Sequence, residues 1–415
     1  MRILVLSESF PPETKSASTL FFELAESLVR DGHRVSVITR RPRYNLAAGI
    51  DPAKTPARET LAGIEVRRFK TLPLIRNLPL VRGFEHFLLA IIFFLGGLWT
   101  GRADVILVYS PPLPLGIAGY LLGKIKGCPL VVNVQDIYPQ TVIDLGLLKG
   151  RSLIWLSRLM EKFIYRHSDV ITVHSEGNKD YLTKNGARAA RVEVVHNWVD
   201  TAAIAPGDRH NDFSRKYGLA GKFVVSYAGT IGFAQGLEVM IDAAALLRDK
   251  KDILFILVGS GVKKNELAGR TARLGLSNVN FIETQPLAVY PQILNASDVS
   301  LVTLPSRLST PAVPGKLLSI MAAAKPVIAS VPLAGDAPKI IKKYNCGVCL
   351  PPDSPDELAK AVINLYNKLS LREEMGKNGR RAAEEVFSRG SAVKRYERIF
   401  AKITAKTFKR DGSNA

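Results

Sequence analysis

Residues 223–258 decide the fold, and they read FVVSYAGTIGFAQGLEVMIDAAALLRDKKDILFILV. An apolar run fills 223–228, a loop punctuated by glycines follows, and an amphipathic stretch over 237–250 leads to a second apolar run at 253–258. Runs that are apolar at nearly every position are typical of parallel strands covered on both faces. This order therefore predicts a strand, a helix and a parallel strand in one βαβ unit.

The same alternation of apolar runs and amphipathic stretches extends toward both ends of the chain. Since one hydrophobic core rarely exceeds ~250–300 residues, a chain of 415 residues predicts two domains. The stretch 197–221, which contains Pro206 and Gly207, has the composition of a linker. We expect an α/β fold of two Rossmann-like βαβ domains whose parallel sheets face each other across a cleft. The expected boundaries are residues 1–198 and 199–388, with a helix over 389–409 that returns to the first domain.

The net charge narrows the choice of partners. The chain carries 57 Lys and Arg against 37 Asp and Glu, a balance of +20. This excess favours nucleic acid, an anionic membrane surface or a phosphorylated small molecule. No basic segment is interleaved with aromatic residues, so we expect no nucleic-acid partner. Three cysteines cannot form a disulfide framework, which favours a reducing compartment.

The apolar run at 87–99, FLLAIIFFLGGLW, is too short to span a membrane, which takes ~20 residues. It is either a helix buried between a sheet and neighbouring helices or a helix sunk into one leaflet. Residues 30–82 hold twelve Lys or Arg against four Asp or Glu, and cations beside an apolar helix hold proteins on anionic lipid, which favours the second interpretation. The expected membrane-interface helix covers residues 85–102, and its lipid-facing residues are Arg76, Arg82, Phe87, Ile91, Phe94 and Trp99.

Two loops of the first domain are candidate functional sites, because loops at the carboxyl ends of parallel strands carry function in α/β folds. In the first loop, Glu13, Thr14, Lys15 and Ser16 precede a helix whose positive end could hold an anion. Asp136 follows the fifth strand and is a candidate catalytic acid. The alternatives are a plain connection for the first loop and a helix or turn cap for Asp136.

In the second domain the strongest candidate is Lys316, within 310–329, TPAVPGKLLSIMAAAKPVIA. The sequence Pro314-Gly-Lys316 opens a helix, so the ammonium group and the helix dipole coincide in a manner that suits a diphosphate. The alternative is a solvent-facing lysine of the first turn. Cys346 and Cys349 have C-x-x-C spacing but no second pair, so we interpret them as core residues and expect no metal site.

These loops, in this order, resemble the retaining nucleotide-sugar glycosyltransferases of the GT-B fold, family 4. The resemblance covers about residues 1–405 and is carried by Phe10-Pro-Pro-Glu13, by 24–39, by His196-Asn-Trp-Val-Asp200 and by 296–302. Residues 316–329 resemble the donor-site helix of the bacterial O-antigen, capsule and exopolysaccharide branch.

Several positions depart from the family pattern. Many members have a glycine pair where this chain has Lys15 and Ser16, and a histidine where it has Gln135. The usual donor-binding Arg and Lys correspond to Thr230 and Gln235, and the two family glutamates correspond to Pro311 and Ser319. The bacterial surface-polysaccharide branch often varies at these places while it keeps the Lys316 motif.

The resemblance implies that a sugar moves from a nucleoside diphosphate, most often UDP, to a polyprenyl-diphosphate-linked saccharide with retention of configuration. It implies no cofactor and no metal ion, an enzyme in the cytoplasm at the inner face of the plasma membrane, and a role in O-antigen or capsule synthesis. The alternatives are a GT-B nucleotide-sugar epimerase and a catalytically dead membrane-associated homologue, and the oligomeric state stays open. Asp136 and Lys316 are the expected catalytic residues. The expected donor-binding residues are Gly229, Thr230, Gly232, Gln235, Gly236, Gly261, Gln285, Pro314, Gly315, Lys316, Leu317 and Ser319.

Overall fold

The computed structural model describes residues 1–43, 46, 50–71, 79–308 and 310–412, without the side chains of 79–83 and 406–412. The predicted lipid-facing residues Arg76 and Arg82 lie outside this description. The chain divides into two compact units: Met1–Asn197 with the chain from Arg389 onwards, and Trp198–Ser388.

The first unit is built on an eight-stranded sheet with the order β3-β4-β2-β1-β5-β6-β7-β8. Neighbouring strands are parallel except β3, which pairs antiparallel with β4. The strands are β1 (Arg2–Leu6), β2 (Arg34–Arg40), β3 (Arg58–Leu61), β4 (Ile64–Phe69), β5 (Val105–Ser110), β6 (Leu130–Val134), β7 (Val170–Val173) and β8 (Val192–Val194). The helices are α1 (Ser16–Arg30), α2 (Pro79–Leu98), α3 (Pro114–Lys126), α4 (Gln140–Asp144), α5 (Arg151–His167) and α6 (Glu176–Lys184).

The second unit is built on a six-stranded parallel sheet with the order β11-β10-β9-β12-β13-β14. Its strands are β9 (Phe223–Ala228), β10 (Ile253–Val258), β11 (Val279–Ile282), β12 (Val299–Thr303), β13 (Val327–Ser330) and β14 (Gly347–Leu350). Its helices are α7 (Asp212–Lys216), α8 (Glu238–Leu246), α9 (Lys264–Arg273), α10 (Tyr290–Asn295), α11 (Gly315–Ala322), α12 (Asp336–Tyr344), α13 (Pro355–Asn367) and α14 (Leu369–Glu385). The predicted fold class, α/β with two parallel-sheet domains, is confirmed.

The last helix, α15 (Arg389–Gly412), packs on the first unit. Arg389 donates to the carbonyl oxygen of Glu23 from Nε at 3.0 Å and from Nη2 at 2.7 Å. The buried Tyr396 hydroxyl accepts a hydrogen bond from Asn133 Nδ2 at 2.9 Å, at the sheet. Residues far apart in sequence therefore complete one core.

Helix α14 has no counterpart among the elements predicted from the sequence. Its buried face consists largely of small residues, which include Gly376, Gly379 and Ala383. A Cβ atom at Gly376 would come within 2.2 Å of the Ala324 carbonyl oxygen, so close backbone packing replaces large apolar side chains. An apolar periodicity cannot reveal a helix of this kind.

Helix α2 has one buried face and one exposed face, so it combines features of the two interpretations that the sequence left open. Leu89 and Phe93 are buried in the core of the first unit, whereas Phe87, Ile91 and Trp99 are exposed. Phe94 is partly buried and packs on that core, and the prediction that it faces lipid stays a prediction. It lies on the flank of the helix toward α3, where a Cβ at Gly97 would meet Leu122 at 2.5 Å. Among the described residues, no helix is both long enough and apolar enough to cross a membrane.

Candidate functional site

In the second unit, two glycine-containing loops interlock at the carboxyl ends of β9 and β10. Gly229 has a φ of +142°, Gly259 of +148° and Gly261 of +152°, which side chains other than glycine rarely permit. A Cβ at Gly259 would lie 2.0 Å from the Gly229 carbonyl oxygen, and one at Gly261 would lie 2.2 Å from that of Ile231. The glycines therefore allow the two loops to touch along their backbones.

Several amide groups of the β9–α8 loop are already engaged within the protein. Gly229 N donates to Val258 O at 2.8 Å, and Ile231 N donates to Ser260 O at 2.9 Å. Gly232 N donates to the side-chain oxygen of Gln235 at 3.1 Å. The Gln235 side chain thus bonds back to Gly232 within the same turn, and its role is to fix the shape of the loop. Gly236 has a φ of +57° and closes the loop against the backbone of Pro305.

Lys316, the second residue of α11, extends across the start of this loop. A Cβ at Gly229 would lie 2.4 Å from Lys316 Cε and 2.9 Å from Nζ. The ammonium group lies 4.7 Å from the centroid of the Tyr227 ring, a distance at which the ring face attracts a cation. Burial lowers the pKa of Lys316 to about 8. The prediction of a solvent-facing first-turn lysine does not describe this side chain.

Lys316 is a cation without a carboxylate partner in the described part of the chain, since none of the ion pairs there includes it. The N-terminus of α11 begins after Pro314 and has no side-chain cap. Two sources of positive potential therefore meet beside Gly229. Such an arrangement favours an anion, because a desolvated cation is stabilised by an opposite charge.

The structure separates the other predicted donor residues into groups. Pro314 and Gly315 lie at the start of α11 beside Lys316, whereas Leu317 is fully buried in the core and cannot contact a ligand. Ser319 is hydrogen-bonded to the partly buried Tyr290. Thr230 accepts a hydrogen bond from the Tyr227 hydroxyl at its carbonyl oxygen, 2.7 Å away. Gln285 follows β11 and donates to the Tyr217 hydroxyl at 3.2 Å.

In the first unit, the β1–α1 loop, which was predicted to hold an anion, turns the side chain of Glu13 inward. Glu13 is buried, accepts from Ser9 Oγ at 2.6 Å and lies 3.3 Å from the Arg40 guanidinium. Burial alone would raise the pKa of Glu13, but Arg40, Ser9 and the Arg43 amide together lower it. The expectation that Glu13 contacts a ligand therefore fails, because its carboxylate is surrounded by protein. It holds the β1–α1 loop in place.

The neighbours of Glu13 point outward. Thr14 and Ser16 are exposed, and Lys15 precedes α1 with its ammonium group 3.4 Å from Glu13. The loop thus presents two small polar side chains and one partly neutralised cation at the helix N-terminus.

Asp136 lies in the loop after β6, and its side chain is exposed. Desolvation by the surrounding protein atoms raises the pKa of its carboxyl group. The carboxylate accepts no hydrogen bond within the described residues, so the prediction of a capping role is not supported. The preceding Gln135 is fixed by a reciprocal amide pair with Asn197, at 2.9 and 2.8 Å, and by His174, whose Nε2 lies 3.1 Å from the Gln135 carbonyl oxygen.

The sequence did not single out Tyr227 or Arg40, although Tyr227 positions Lys316 and Arg40 positions Glu13. Their roles depend on tertiary contacts between elements that no local pattern reveals. Cys346 and Cys349 are free thiols on β14, and Cys346 is fully buried. In the part of the chain that the structure describes, no three His, Cys, Asp or Glu side chains are grouped as they would be to hold a metal ion.

Comparison with known proteins identifies the family. Residues 17–198 match the glycosyl transferase 4-like domain, and residues 210–382 match the glycosyl transferases group 1 domain. WbjE of Pseudomonas aeruginosa, which is named as a glycosyltransferase, is 27% identical over 372 residues, 87% of this chain and 88% of WbjE. WcaI of Escherichia coli (strain K12), named for colanic acid biosynthesis, is 24% identical over 380 residues, 87% of this chain and 91% of WcaI.

Solved structures show the same fold. The structure of Anabaena HepE in complex with UDP aligns with a TM-score of 0.73 at 19% identity and covers 97% of this chain and 100% of HepE. WaaG, a glycosyltransferase involved in lipopolysaccharide biosynthesis, aligns with a TM-score of 0.68 at 17% identity over 97% of this chain and 99% of WaaG. The two matching domains and the two parallel sheets lead to one conclusion: this chain is a glycosyltransferase and belongs to the GT-B enzymes of family 4.

Proposed function

We propose that the protein transfers a sugar from a nucleoside diphosphate donor, foremost UDP, to a polyprenyl-diphosphate-linked saccharide with retention of configuration. The single observation that carries this proposal is Lys316, a desolvated cation that lies across Gly229 without a carboxylate partner in the described residues. A nucleoside diphosphate supplies the missing negative charge. The proposed pathway is the synthesis of a bacterial surface polysaccharide such as O-antigen or capsule.

The chemistry follows from charge development at the leaving group. As the bond from the sugar to the diphosphate breaks, negative charge grows on the diphosphate and the sugar becomes cationic. An ammonium group and a helix N-terminus that are already in place stabilise that negative charge more strongly than bulk water does. We therefore propose a metal-independent enzyme without a cofactor, in which Lys316 takes the role that a divalent cation has in other transferases.

Relatives support the choice of donor and pathway. HepE was solved with UDP, WaaG acts in lipopolysaccharide biosynthesis, and WcaI is named for colanic acid biosynthesis. The backbone amides of Gly315 and Lys316, at the uncapped start of α11, would donate to the nucleotide diphosphate. Tyr227, beneath Lys316, keeps the ammonium group in position through its ring face.

For the acceptor we propose the first unit. Asp136 is exposed, carries no hydrogen bond within the described residues and has a raised pKa, so its carboxylate can orient an acceptor hydroxyl or stabilise the cationic sugar. Thr14, Lys15 and Ser16 at the start of α1 offer hydroxyl groups and a cation for an acceptor phosphate. A lipid-linked acceptor also requires the enzyme to work at a membrane, and we propose the inner face of the plasma membrane, with the exposed side chains of α2 in contact with lipid.

The experiment is a thermal-shift series with UDP-, GDP- and dTDP-sugars on the wild type and on Lys316→Met. Ligand at 100 times its dissociation constant adds about 2.7 kcal/mol of stability, and we expect this only for UDP compounds and only in the wild type. NMR of the product formed with a lipid-linked acceptor then reports the anomeric configuration. Stabilisation by no nucleotide, or equal stabilisation of Lys316→Met, would contradict the proposal. Release of free UDP and an altered sugar without acceptor would instead indicate an epimerase.

A further inference from the structure

Three helices of the first unit lie side by side on one face of its sheet. A Cβ at Gly97 of α2 would meet Leu122 of α3 at 2.5 Å, and one at Gly116 of α3 would meet Ile164 of α5 at 2.8 Å. Tyr120 of α3 and Phe163 of α5 form an edge-to-face pair with ring centroids 5.3 Å apart. Helices α2, α3 and α5 therefore form one layer with a common outer surface.

That outer surface is apolar on all three helices. Trp99 is 82% exposed, and Trp155 on α5 is 64% exposed, whereas the third tryptophan, Trp198 in the second unit, is only 7% exposed. Many large apolar side chains exposed on neighbouring helices are typical of an interaction site in soluble proteins. The exposed apolar residues are Phe84, Phe87, Ile91, Leu95, Leu98 and Trp99 of α2 and the turn after it, Leu121 and Ile125 of α3, and Trp155, Leu156 and Leu159 of α5.

The charges around this surface are of one sign. Helix α3 has no acidic residue, and the two acids on the described parts of α2 and α5 are each paired with an arginine. Glu85 pairs with Arg43 at 2.8 Å, and Glu161 pairs with Arg158 at 2.9 Å. The cations, by contrast, are exposed around the apolar residues: Arg102, Lys124, Arg151, Lys162 and Arg166. An apolar surface bordered by cations is complementary to an anionic lipid bilayer.

The surface also has a defined orientation relative to the sheet. Helices α2, α3 and α5 each end where the next strand begins, so their N-termini lie at the carboxyl edge of the sheet. Phe87 precedes Gly97 by ten residues and Trp155 precedes Ile164 by nine, so both rings lie roughly 13–15 Å nearer to that edge than these two contacts, at about 1.5 Å per residue. Trp99 and Ile125 lie at the opposite end. The apolar surface therefore runs from the amino edge to the edge where the Asp136 loop leaves β6.

We propose that this three-helix surface docks on an anionic lipid bilayer, with Trp99 and Trp155 both at the interface. This docking would set the helix layer of the first unit flat on the membrane, with the N-terminal ends of α2, α3 and α5, at the carboxyl edge of the sheet, in contact with the lipid headgroups. The docking itself does not depend on the proposed function. Only its purpose, the delivery of a lipid-linked acceptor, rests on that function. Helix α5, which the sequence did not associate with a membrane, contributes as directly as α2.

Tryptophan fluorescence tests this docking, because the chain has only three tryptophans. Variants that keep one tryptophan each, with Phe at the other two positions, are mixed with phosphatidylcholine vesicles that contain phosphatidylglycerol and brominated acyl chains. We expect quenching and a blue shift for Trp99 and for Trp155 but none for Trp198, and weak binding when phosphatidylglycerol is omitted. Quenching of Trp99 alone would overturn the proposal.

A second variant separates the contribution of α5. Leu156→Ser with Leu159→Ser should weaken vesicle binding about tenfold or more through lost apolar contact, whereas Leu246→Ser with Leu369→Ser, two exposed leucines of the second unit, should leave it unchanged. The UDP thermal shift should be the same in both variants, so failure of donor binding remains distinguishable from failure of docking. Unchanged vesicle binding of the α5 variant would overturn the proposal. So would light scattering that shows a wild-type dimer which the α5 variant dissociates, since the surface would then bind a second copy.

Discussion

The Lys316 side chain occupies the space that a Cβ atom at position 229 would need, with Cε 2.4 Å and Nζ 2.9 Å from that point. Gly229 in turn has a φ of +142°, which other residues rarely adopt. One residue of the β9–α8 loop and one residue of α11 are therefore fitted to each other. The position of the ammonium group is set by the absence of a side chain 87 residues earlier in the chain.

We expect Gly229→Ala to abolish UDP binding while the fold survives with reduced stability. The methyl group collides with Lys316 and strains the backbone, so the ammonium group must leave the ring of Tyr227. Isothermal titration calorimetry measures the affinity, and circular dichroism measures the melting temperature. Gly390→Ala is the control, because a Cβ there meets nothing within 4 Å. Wild-type affinity in Gly229→Ala would show that the contact does not matter for the donor.

Lys316→Met should stabilise the protein without ligand and remove its response to UDP. Methionine keeps the apolar stem on Tyr227 and removes a charge whose desolvation lowers the pKa from 10.5 to about 8. At about 1.4 kcal/mol per pKa unit, the relief is on the order of 3 kcal/mol at neutral pH. Denaturant unfolding at pH 7 measures it. If Lys316→Met were less stable than the wild type, Lys316 would have a stabilising interaction beyond its contacts with Tyr227 and Gly229.

Lys316 also predicts the direction in which the stability of the protein changes with pH. Because the pKa of Lys316 is lower in the folded protein, about 8, than in the unfolded chain, 10.5, the unfolded state binds more protons between these values. The stability of the wild type relative to Lys316→Met should therefore rise as the pH rises from about 8 to 10.5. UDP affinity should fall over the same range as the ammonium group loses its proton. A difference in stability that is flat from pH 7 to 11 would contradict the lowered pKa.

Glu13→Gln should destabilise the protein by about 1.5–3 kcal/mol, because it removes one of the two carboxylates that pair with the buried Arg40 and leaves only Glu8. The pKa of Glu13 is lowered in the folded state, so its contribution is present above the unfolded pKa and is lost as the pH falls through the folded value. Glu357→Gln, which removes an exposed pair with Lys360, is the control and should change stability by less than about 1 kcal/mol. If Glu13→Gln and Glu357→Gln lowered the free energy of unfolding in urea equally, Glu13 would contribute no more than an exposed ion pair does.

Neighbouring positions of α2 should respond in opposite ways. Phe93 is fully buried, so Phe93→Ser should destabilise the first unit by about 3–5 kcal/mol, as removal of a buried aromatic ring does. Ile91 is 56% exposed, so Ile91→Ser should change the melting temperature little and act only on vesicle binding. The two responses differ because α2 turns Phe93 toward the sheet and Ile91 away from it.

How much the sequence could predict depended on how local the cause was. Strands such as Ile253–Val258 are recognisable because burial on both faces makes every position apolar. Lys316 was recognisable because Pro-Gly-Lys opens a helix. The burial of Glu13 was not, because it depends on Arg40 at the end of another strand, and a polar loop residue is ordinarily exposed. The contact of Lys316 with Tyr227 likewise exists only after α11 and β9 have packed together.

Asp136→Asn should lower kcat by orders of magnitude and leave the affinity for UDP unchanged. The amide keeps the shape of the carboxylate but removes its charge, and Asp136 lies in a different unit from Lys316. Since desolvation raises the pKa of Asp136, the wild-type kcat should fall on the acid side above the usual range of an aspartate, and this limb should be absent from the residual activity of the variant. The control is Asp144→Asn at the end of α4, whose carboxylate accepts a hydrogen bond from Gln140 at 2.6 Å. If both variants lost UDP binding or melted early, the Asp136 loop would be a structural element of the first unit and the acceptor role would pass to other residues.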